Sequence, residues 1–75
     1  MMLVEKVEKV LRESKAARSD DAFLYARIIT KFYPTYKHIE LVEAFKNHQK
    51  YELPSFKSVE RARQKLQVKY PELKG

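Results

Sequence analysis

The stretch LPSFKSVERARQKLQVKYPEL, residues 53–73, decides the fold because it contains a helix pattern bounded at both ends. Pro54 cannot continue a preceding helix, and either Ser55 or Ser58 can cap a new one. Ser55 is favoured because it keeps the aromatic residue that follows it inside the helix. Pro71 ends the pattern, so the sequence predicts a helix over about residues 55–69.

The two sides of this predicted helix differ in character at about 100° per residue. The side expected to face a core contains Val59, Ala62, Leu66, Lys69 and Tyr70, with Phe56 and Arg63 at its edge. The opposite side contains Lys57, Glu60, Arg61, Gln64, Lys65 and Val68. One face is therefore predicted to pack and the other to meet solvent or a partner.

Three further segments have apolar residues at helical spacing and end at proline or polar breaks. The predicted helices cover about residues 2–18, 20–33 and 36–48. The apolar face of the first contains Leu3, Val4, Val7, Val10, Leu11 and Ala17. The face of the second contains Phe23, Leu24, Ile28, Ile29 and Phe32, and that of the third contains Ile39, Leu41, Val42 and Phe45. Ser19 is expected to accept a backbone hydrogen bond at the start of the second helix, with Asp20 and Asp21 near its positive end. The predicted fold is an all-α, compact bundle of four short helices in one domain, residues 1–75. If the first helix frays, it becomes three helices with an amino-terminal helical arm.

Composition excludes several classes of protein. A chain of 75 residues has a thin core, and without cysteine it has no disulfide framework. His38 and His48 are too far apart in sequence for an i, i+4 ligand pair, so no metal and no cofactor is expected. No apolar run approaches the roughly 18 residues needed to cross a bilayer, and the amino terminus is unlike a secretory signal. These features predict a soluble intracellular protein without a membrane partner.

Enzyme activity is not expected. The only glycine is at the end of the chain, so there is no glycine-rich loop to hold a phosphate and no strained turn to expose a serine nucleophile. The carboxylates of Asp20 and Asp21 directly precede an apolar run. That position favours helix capping over acid/base catalysis or cation binding.

Positive charge is concentrated in the last segment. The formal net charge is +6, and residues 55–75 account for +4 of it through six Lys or Arg against Glu60 and Glu72. Lys57, Arg61, Gln64 and Lys65 are the predicted nucleic-acid-binding residues, because Arg and Gln can pair with guanine and adenine edges. The alternative is an ordinary solvated helix face.

A polar break followed by a basic helix is the order of a helix-turn-helix DNA-binding motif. The break NHQKYELP, residues 47–54, is longer than the usual three or four residues of such a turn, so a looser helix-loop-helix is expected. Arg63 is predicted to have a structural role, either covering apolar surface or pairing with Glu43 or Glu52. The tyrosines are expected mainly in the core or at its rim.

The stretches RSDDAFLYARIITKFYP, residues 18–34, and LPSFKSVERARQKLQVKYPELKG, residues 53–75, resemble a group of small proteins encoded by phages and prophages of Gram-positive bacteria. In that group an arginine with polar and acidic residues precedes an apolar helix, and a block of the form lPs-aromatic-x-S-v-x-R-x-R-x-K-l-Q ends in YPEL. Arg61, Arg63, Lys65 and Gln67 match the basic and polar positions of the block, whereas residues 1–15 have no match. Most members have no assigned activity. The resemblance implies a phage or prophage product in the cytoplasm of the bacterial host.

Two functions follow as hypotheses. The first is non-enzymatic, regulatory binding of double-stranded DNA through the last helix. The second is a small protein-binding module, an inhibitor, adaptor or anti-repressor, that acts on a host or phage protein through an apolar spot formed by Tyr36, Tyr51 and Val68. The first helix can serve as a homodimer seam or as the fourth side of the core, and both readings stay open.

Overall fold

The computed structural model describes all 75 residues as four α-helices without any β-strand. The helices are α1 (Leu3–Glu13), α2 (Asp21–Phe32), α3 (Leu41–Lys46) and α4 (Phe56–Lys69). Single 3₁₀ turns form at Ala16–Arg18, Pro34–Tyr36 and Pro71–Leu73. The prediction of an all-α bundle of four short helices is confirmed. None of the helices combines the length and the apolar composition that crossing a membrane requires.

The core is one continuous cluster to which all four helices contribute. The largest side chains that it buries completely are Tyr25, Leu11, Leu24, Ile28, Leu73, Val7, Val10 and Val59. Helix α1 packs along both α4 and α2, so it is a wall of the bundle and not a separate arm. Burial of such aliphatic side chains, at about 1.5–3 kcal/mol each, is the main force that stabilises the fold.

Tyr25 joins α2 to α3 and to the start of α4. Its ring lies 5.2 Å from that of Phe45 and 5.7 Å from that of Phe56, and its hydroxyl donates a 2.7 Å hydrogen bond to the carbonyl of Pro54. Burial, with a smaller effect of Tyr33, raises the pKa of Tyr25. Tyr25 rather than Phe23 belongs to the core, because Phe23 is 40% exposed. A tyrosine can fill this position because its polar end has a partner.

The end of α1 differs from the prediction of a helix to residue 18. Helix α1 ends at Glu13, and the chain then makes a 3₁₀ turn that keeps Ala17 buried. Arg18 is the last residue of this turn and donates a 2.7 Å hydrogen bond from Nε to the carbonyl of Leu11. The last carbonyls of a helix have no partner within it, so an arginine that folds back onto one of them stabilises the early end.

The cap of α2 is Asp20, whose carboxylate accepts a 3.0 Å hydrogen bond from the backbone amide of Phe23. The prediction that Asp20 and Asp21 favour helix capping is confirmed for Asp20, whereas the prediction that Ser19 accepts this kind of bond is wrong. Ser19 is exposed and lies one position before the cap. Asp21 is the first helical residue, and its carboxylate is directed to α4.

Helix α3 is much shorter than the predicted 36–48. Pro34 lacks a backbone donor, and the chain from Tyr33 to Ile39 uses tight i to i+3 hydrogen bonds before the helix begins at Leu41. Ile39 therefore precedes the helix, so it does not belong to the helical face that the sequence predicted. The pattern also misplaces Val42, which is 60% exposed, whereas Ala44 is buried.

Helix α4 agrees with the prediction within one residue at its start. Ser55 is its cap, and its hydroxyl accepts a 3.0 Å hydrogen bond from the backbone amide of Ser58. Residues 47–55 connect α3 to α4, so the connection is a loop longer than a helix-turn-helix turn. One residue was placed on the wrong side: Lys69 is exposed, with its ammonium 5.2 Å from the centroid of the Tyr70 ring.

Candidate nucleic-acid interface

The four predicted nucleic-acid-binding residues lie together on the exposed side of α4. Lys57, Arg61, Gln64 and Lys65 are all exposed, and the helical spacing aligns them along one surface, which we call the basic face. The core-facing side of the same helix buries Val59, Ala62 and Leu66. Packing of the opposite side therefore holds the basic face rigidly towards solvent.

Most donors on the basic face have no partner in the protein. Lys57 has one carboxylate neighbour, with 3.5 Å between its Nζ and Oε1 of Glu60. Arg61, Gln64 and Lys65 make no side-chain hydrogen bond, and neither cation has a carboxylate within 4.0 Å. A guanidinium, an amide and an ammonium are thus free to bind acceptors on another molecule, such as phosphate oxygens or base edges.

Arg63 has the structural role that was predicted, but with a different partner. Its Nη2 donates a 3.1 Å hydrogen bond to Oδ2 of Asp21, and its Nε bonds the other oxygen of that carboxylate. The expected partners Glu43 and Glu52 are not used. Asp21 and Arg63 are 42 residues apart in the chain, and neither periodicity nor composition brings such residues together.

Gln67 extends this pair into the core. Its Oε1 accepts a 2.9 Å hydrogen bond from Nη1 of Arg63, and its Nε2 donates to the carbonyls of Arg18 at 2.8 Å and Leu73 at 3.1 Å. We call Asp21, Arg63 and Gln67 the polar clamp. It ties α4 to the start of α2 and to the carboxyl-terminal turn. The sequence signal for it was the i, i+4 spacing of Arg63 and Gln67.

The predicted apolar spot of Tyr36, Tyr51 and Val68 is divided between two places. The rings of Tyr36 and Tyr51 lie 5.1 Å apart, and the hydroxyl of Tyr51 donates a 2.9 Å hydrogen bond to Oε1 of Glu43. That hydrogen bond, with some contribution from burial, raises the pKa of Tyr51. Val68 is 80% exposed on α4 and lines a different surface.

That surface is a groove of about 920 Å³ between the start of α1 and the length of α4, which we call the α1–α4 groove. Its lining residues are Met2, Leu3, Val4, Ser58, Arg61, Ala62, Gln64, Lys65, Val68 and Lys69. Sequence patterns missed it because it depends on how α1 lies against α4. It shares Arg61, Gln64 and Lys65 with the basic face, whereas Lys57 is outside it.

The two histidines lie on either side of α3. His38 is exposed in the loop before α3, and His48 is half-buried in the loop after it. No group of three or more histidine, aspartate or glutamate side chains is arranged to hold a metal ion. No family model, no curated protein and no solved structure matches this chain.

Proposed function

We propose that this chain is a non-enzymatic phage or prophage protein that binds double-stranded DNA in the bacterial cytoplasm, in a regulatory role. The observation that supports this proposal is the basic face: Arg61, Gln64 and Lys65 are exposed on one side of a rigidly packed helix and have no partner in the protein. The phage origin and the cytoplasmic location rest on the resemblance in residues 18–34 and 53–75.

The chemistry divides the four residues into two roles. Lys57 and Lys65 supply ammonium groups for phosphate oxygens, which contribute most of the affinity but no sequence preference. Arg61 can donate two hydrogen bonds to a guanine edge, and Gln64 can pair with an adenine edge in the major groove. Helix α4 contains 14 residues, so it is about 21 Å long and can lie across several base pairs.

The test is fluorescence anisotropy of a labelled DNA duplex at several salt concentrations. The protein is compared with a variant in which Lys57, Arg61 and Lys65 are changed to Glu. A matched control changes Lys9, Lys15 and Lys37 to Glu, because these lysines are exposed and none of them belongs to α4. Each triple change lowers the formal net charge from +6 to 0, since each cation replaced by a carboxylate removes two charges.

We expect binding by the unaltered protein to weaken with salt, with a slope of about −2 in log K against log salt for two phosphate contacts. The α4 variant should lose binding while its helical circular dichroism persists. The control should retain a large part of the affinity. Weak binding that does not depend on salt, or equal losses in the two variants, would contradict the basic face as the DNA site.

A second candidate function is a protein-binding module that acts on a host or phage protein as an inhibitor, adaptor or anti-repressor. The specific observation in its favour is the α1–α4 groove, where Met2 is 70% and Val68 is 80% exposed next to unpaired cations. Exposed apolar surface rimmed by charge is typical of protein interaction sites. Recovery of a stoichiometric protein partner from nuclease-treated host lysate favours this function, and recovery of nucleic acid alone goes against it.

A further inference from the structure

We call the apolar residues that line the α1–α4 groove its floor. Half of its lining residues are apolar, namely Met2, Leu3, Val4, Ala62 and Val68. Val68 and Met2 are among the most exposed large apolar side chains of the chain. Covering them would remove apolar surface from water at about 25 cal/mol per Å².

The shape of the groove suits an α-helix. Its lining residues on α4 extend from Ser58 to Lys69, which is about 17 Å along the helix axis at 1.5 Å per residue. One side of the groove is α4 and the other is the first residues of the chain, Met2 to Val4. A partner helix can lie along α4 there with its side chains between those of α4. About three turns of a partner helix fit this length.

The rim of the groove has one sign of charge. Arg61, Lys65 and Lys69 line it, no carboxylate does, and none of the three has a carboxylate within 4.0 Å. The nearest acidic residue in sequence to the α1 part of the rim is Glu5, whose carboxylate already accepts a 2.9 Å hydrogen bond from the backbone amide of Met2. A partner that covers the floor must therefore bring negative charge to the rim.

A second copy of this chain bound groove to groove is disfavoured by charge. Contact between two identical grooves would place the three rim cations of one copy against those of the other, and each copy has a net charge of +6. Like charges brought together in a contact weaken it. The complementary occupant is a different chain with an apolar stripe between acidic residues.

We propose that the α1–α4 groove binds an acidic amphipathic helix of another protein. Apolar side chains of that helix, at positions i, i+3 or i+4, and i+7, lie on the floor next to Val68 and Met2, and its carboxylates pair with Arg61, Lys65 and Lys69. This inference deepens the protein-binding function and rests on it. It does not depend on DNA binding.

The probe for the test is a fluorescein-labelled synthetic peptide of about 16 residues, a length at which an isolated helix is no longer marginal in water. Its leucines occupy i, i+4, i+7 and i+11, glutamates flank this stripe, and alanine and glutamine fill the far side. A control peptide of the same composition distributes the leucines around the helix. Both peptides carry the same net charge, so a difference between them reports on the apolar stripe.

Two protein variants separate this site from the DNA site. Val68→Ser removes an apolar side chain of the floor at a position that is 80% exposed, so we expect it to change the free energy of unfolding by less than about 0.5 kcal/mol. Lys57→Glu alters the basic face outside the groove. We expect Val68→Ser to weaken binding of the striped peptide about tenfold and to leave DNA binding unchanged. Lys57→Glu should weaken DNA binding and change peptide binding less than twofold.

The striped peptide should bind in the micromolar range, and the control peptide at least tenfold more weakly. Equal binding of the two peptides would overturn the proposal, because charge alone would then explain the association. Unchanged peptide affinity in Val68→Ser would overturn it as well. If DNA binding fails while the striped peptide binds as expected, only the basic face is refuted.

Discussion

Two arginines on α4 show how differently one helix uses the same side chain. Arg61 is exposed and has no partner, whereas the side chain of Arg63 is 18% exposed and makes three hydrogen bonds to Asp21 and Gln67. They are two positions apart, which is about 200° around the helix. One arginine is available to another molecule, and the other holds this molecule together.

The contrast shows that a basic residue in a helix is informative about function only once its direction is known. Between residues 61 and 67, Arg63 and Gln67 belong to the polar clamp, and Arg61 and Lys65 are free. This segment therefore meets two separate physical requirements. One set of its residues stabilises the fold, and only the other can contact a partner.

The largest effect that tests this contrast is expected for Arg63→Ala. The change leaves the carboxylate of Asp21 and the amide oxygen of Gln67 without their donor in a partly buried place. We expect the free energy of unfolding to fall by about 2–3 kcal/mol, below the range for a fully buried pair because both side chains keep some exposure. The measurement is urea unfolding followed by circular dichroism.

Arg61→Ala is the matched control on the other side of the helix. It should change the free energy of unfolding by less than about 0.5 kcal/mol, as is usual for an exposed residue without partners. Arg63→Lys keeps the charge but loses the two-pronged hydrogen bond, so it should fall between the other two variants. Equal stability of the two alanine variants would show that the polar clamp does not stabilise the fold.

The sequence predicted the parts of the fold that depend on neighbours along the chain. The helix at residues 56–69, its cap Ser55 and the four-helix class all follow from spacing, prolines and capping residues. Local rules failed where a residue distant in sequence or a backbone break decides the outcome. Arg18 ends α1 early by bonding Leu11, and the turns after Pro34 delay α3 to Leu41.

The candidate site was predictable to the same extent. Helical spacing alone placed Lys57, Arg61, Gln64 and Lys65 on one exposed side. Spacing could not show that Arg63 reaches Asp21, or that Val68 and Met2 line one groove, because both depend on how separate helices pack. Lys69 was misplaced because its position is at the edge of the core side, where a long charged side chain turns outwards to water.

The second effect concerns the two glutamines of α4. Gln67→Ala removes the donor to the carbonyls of Arg18 and Leu73, and burial prevents water from replacing it fully. We expect a loss of about 1–2 kcal/mol in the free energy of unfolding, whereas Gln64→Ala on the exposed side should be close to neutral.

A double variant tests whether the polar clamp acts as a unit. Arg63→Ala combined with Gln67→Ala should destabilise less than the sum of the two single changes, because the second change removes a group that the first has already left without its donor. Strict additivity would mean that Arg63 and Gln67 stabilise the fold independently. The same urea unfolding measurement gives all four values of the cycle.

The smallest effect concerns an ion pair on the surface of the bundle, between α1 and α2. Nζ of Lys31 lies 2.7 Å from Oε1 and 3.0 Å from Oε2 of Glu13. This hydrogen bond lowers the pKa of Glu13, although partial desolvation opposes it. Since the pKa is lower in the folded state, the stabilisation is present above the unfolded value of about 4.3 and is lost as pH falls through the folded value.

Unfolding free energies measured between about pH 7 and pH 2 should therefore show a small gap between the unaltered protein and Glu13→Gln that closes at acid pH. High salt should reduce the gap at neutral pH, because the pair is exposed and screened. A gap that stays constant across this pH range would mean that the carboxylate charge of Glu13 does not stabilise the fold. The ion pair would then contribute as little to the free energy of unfolding as the unpaired cations of the basic face, despite its short distance.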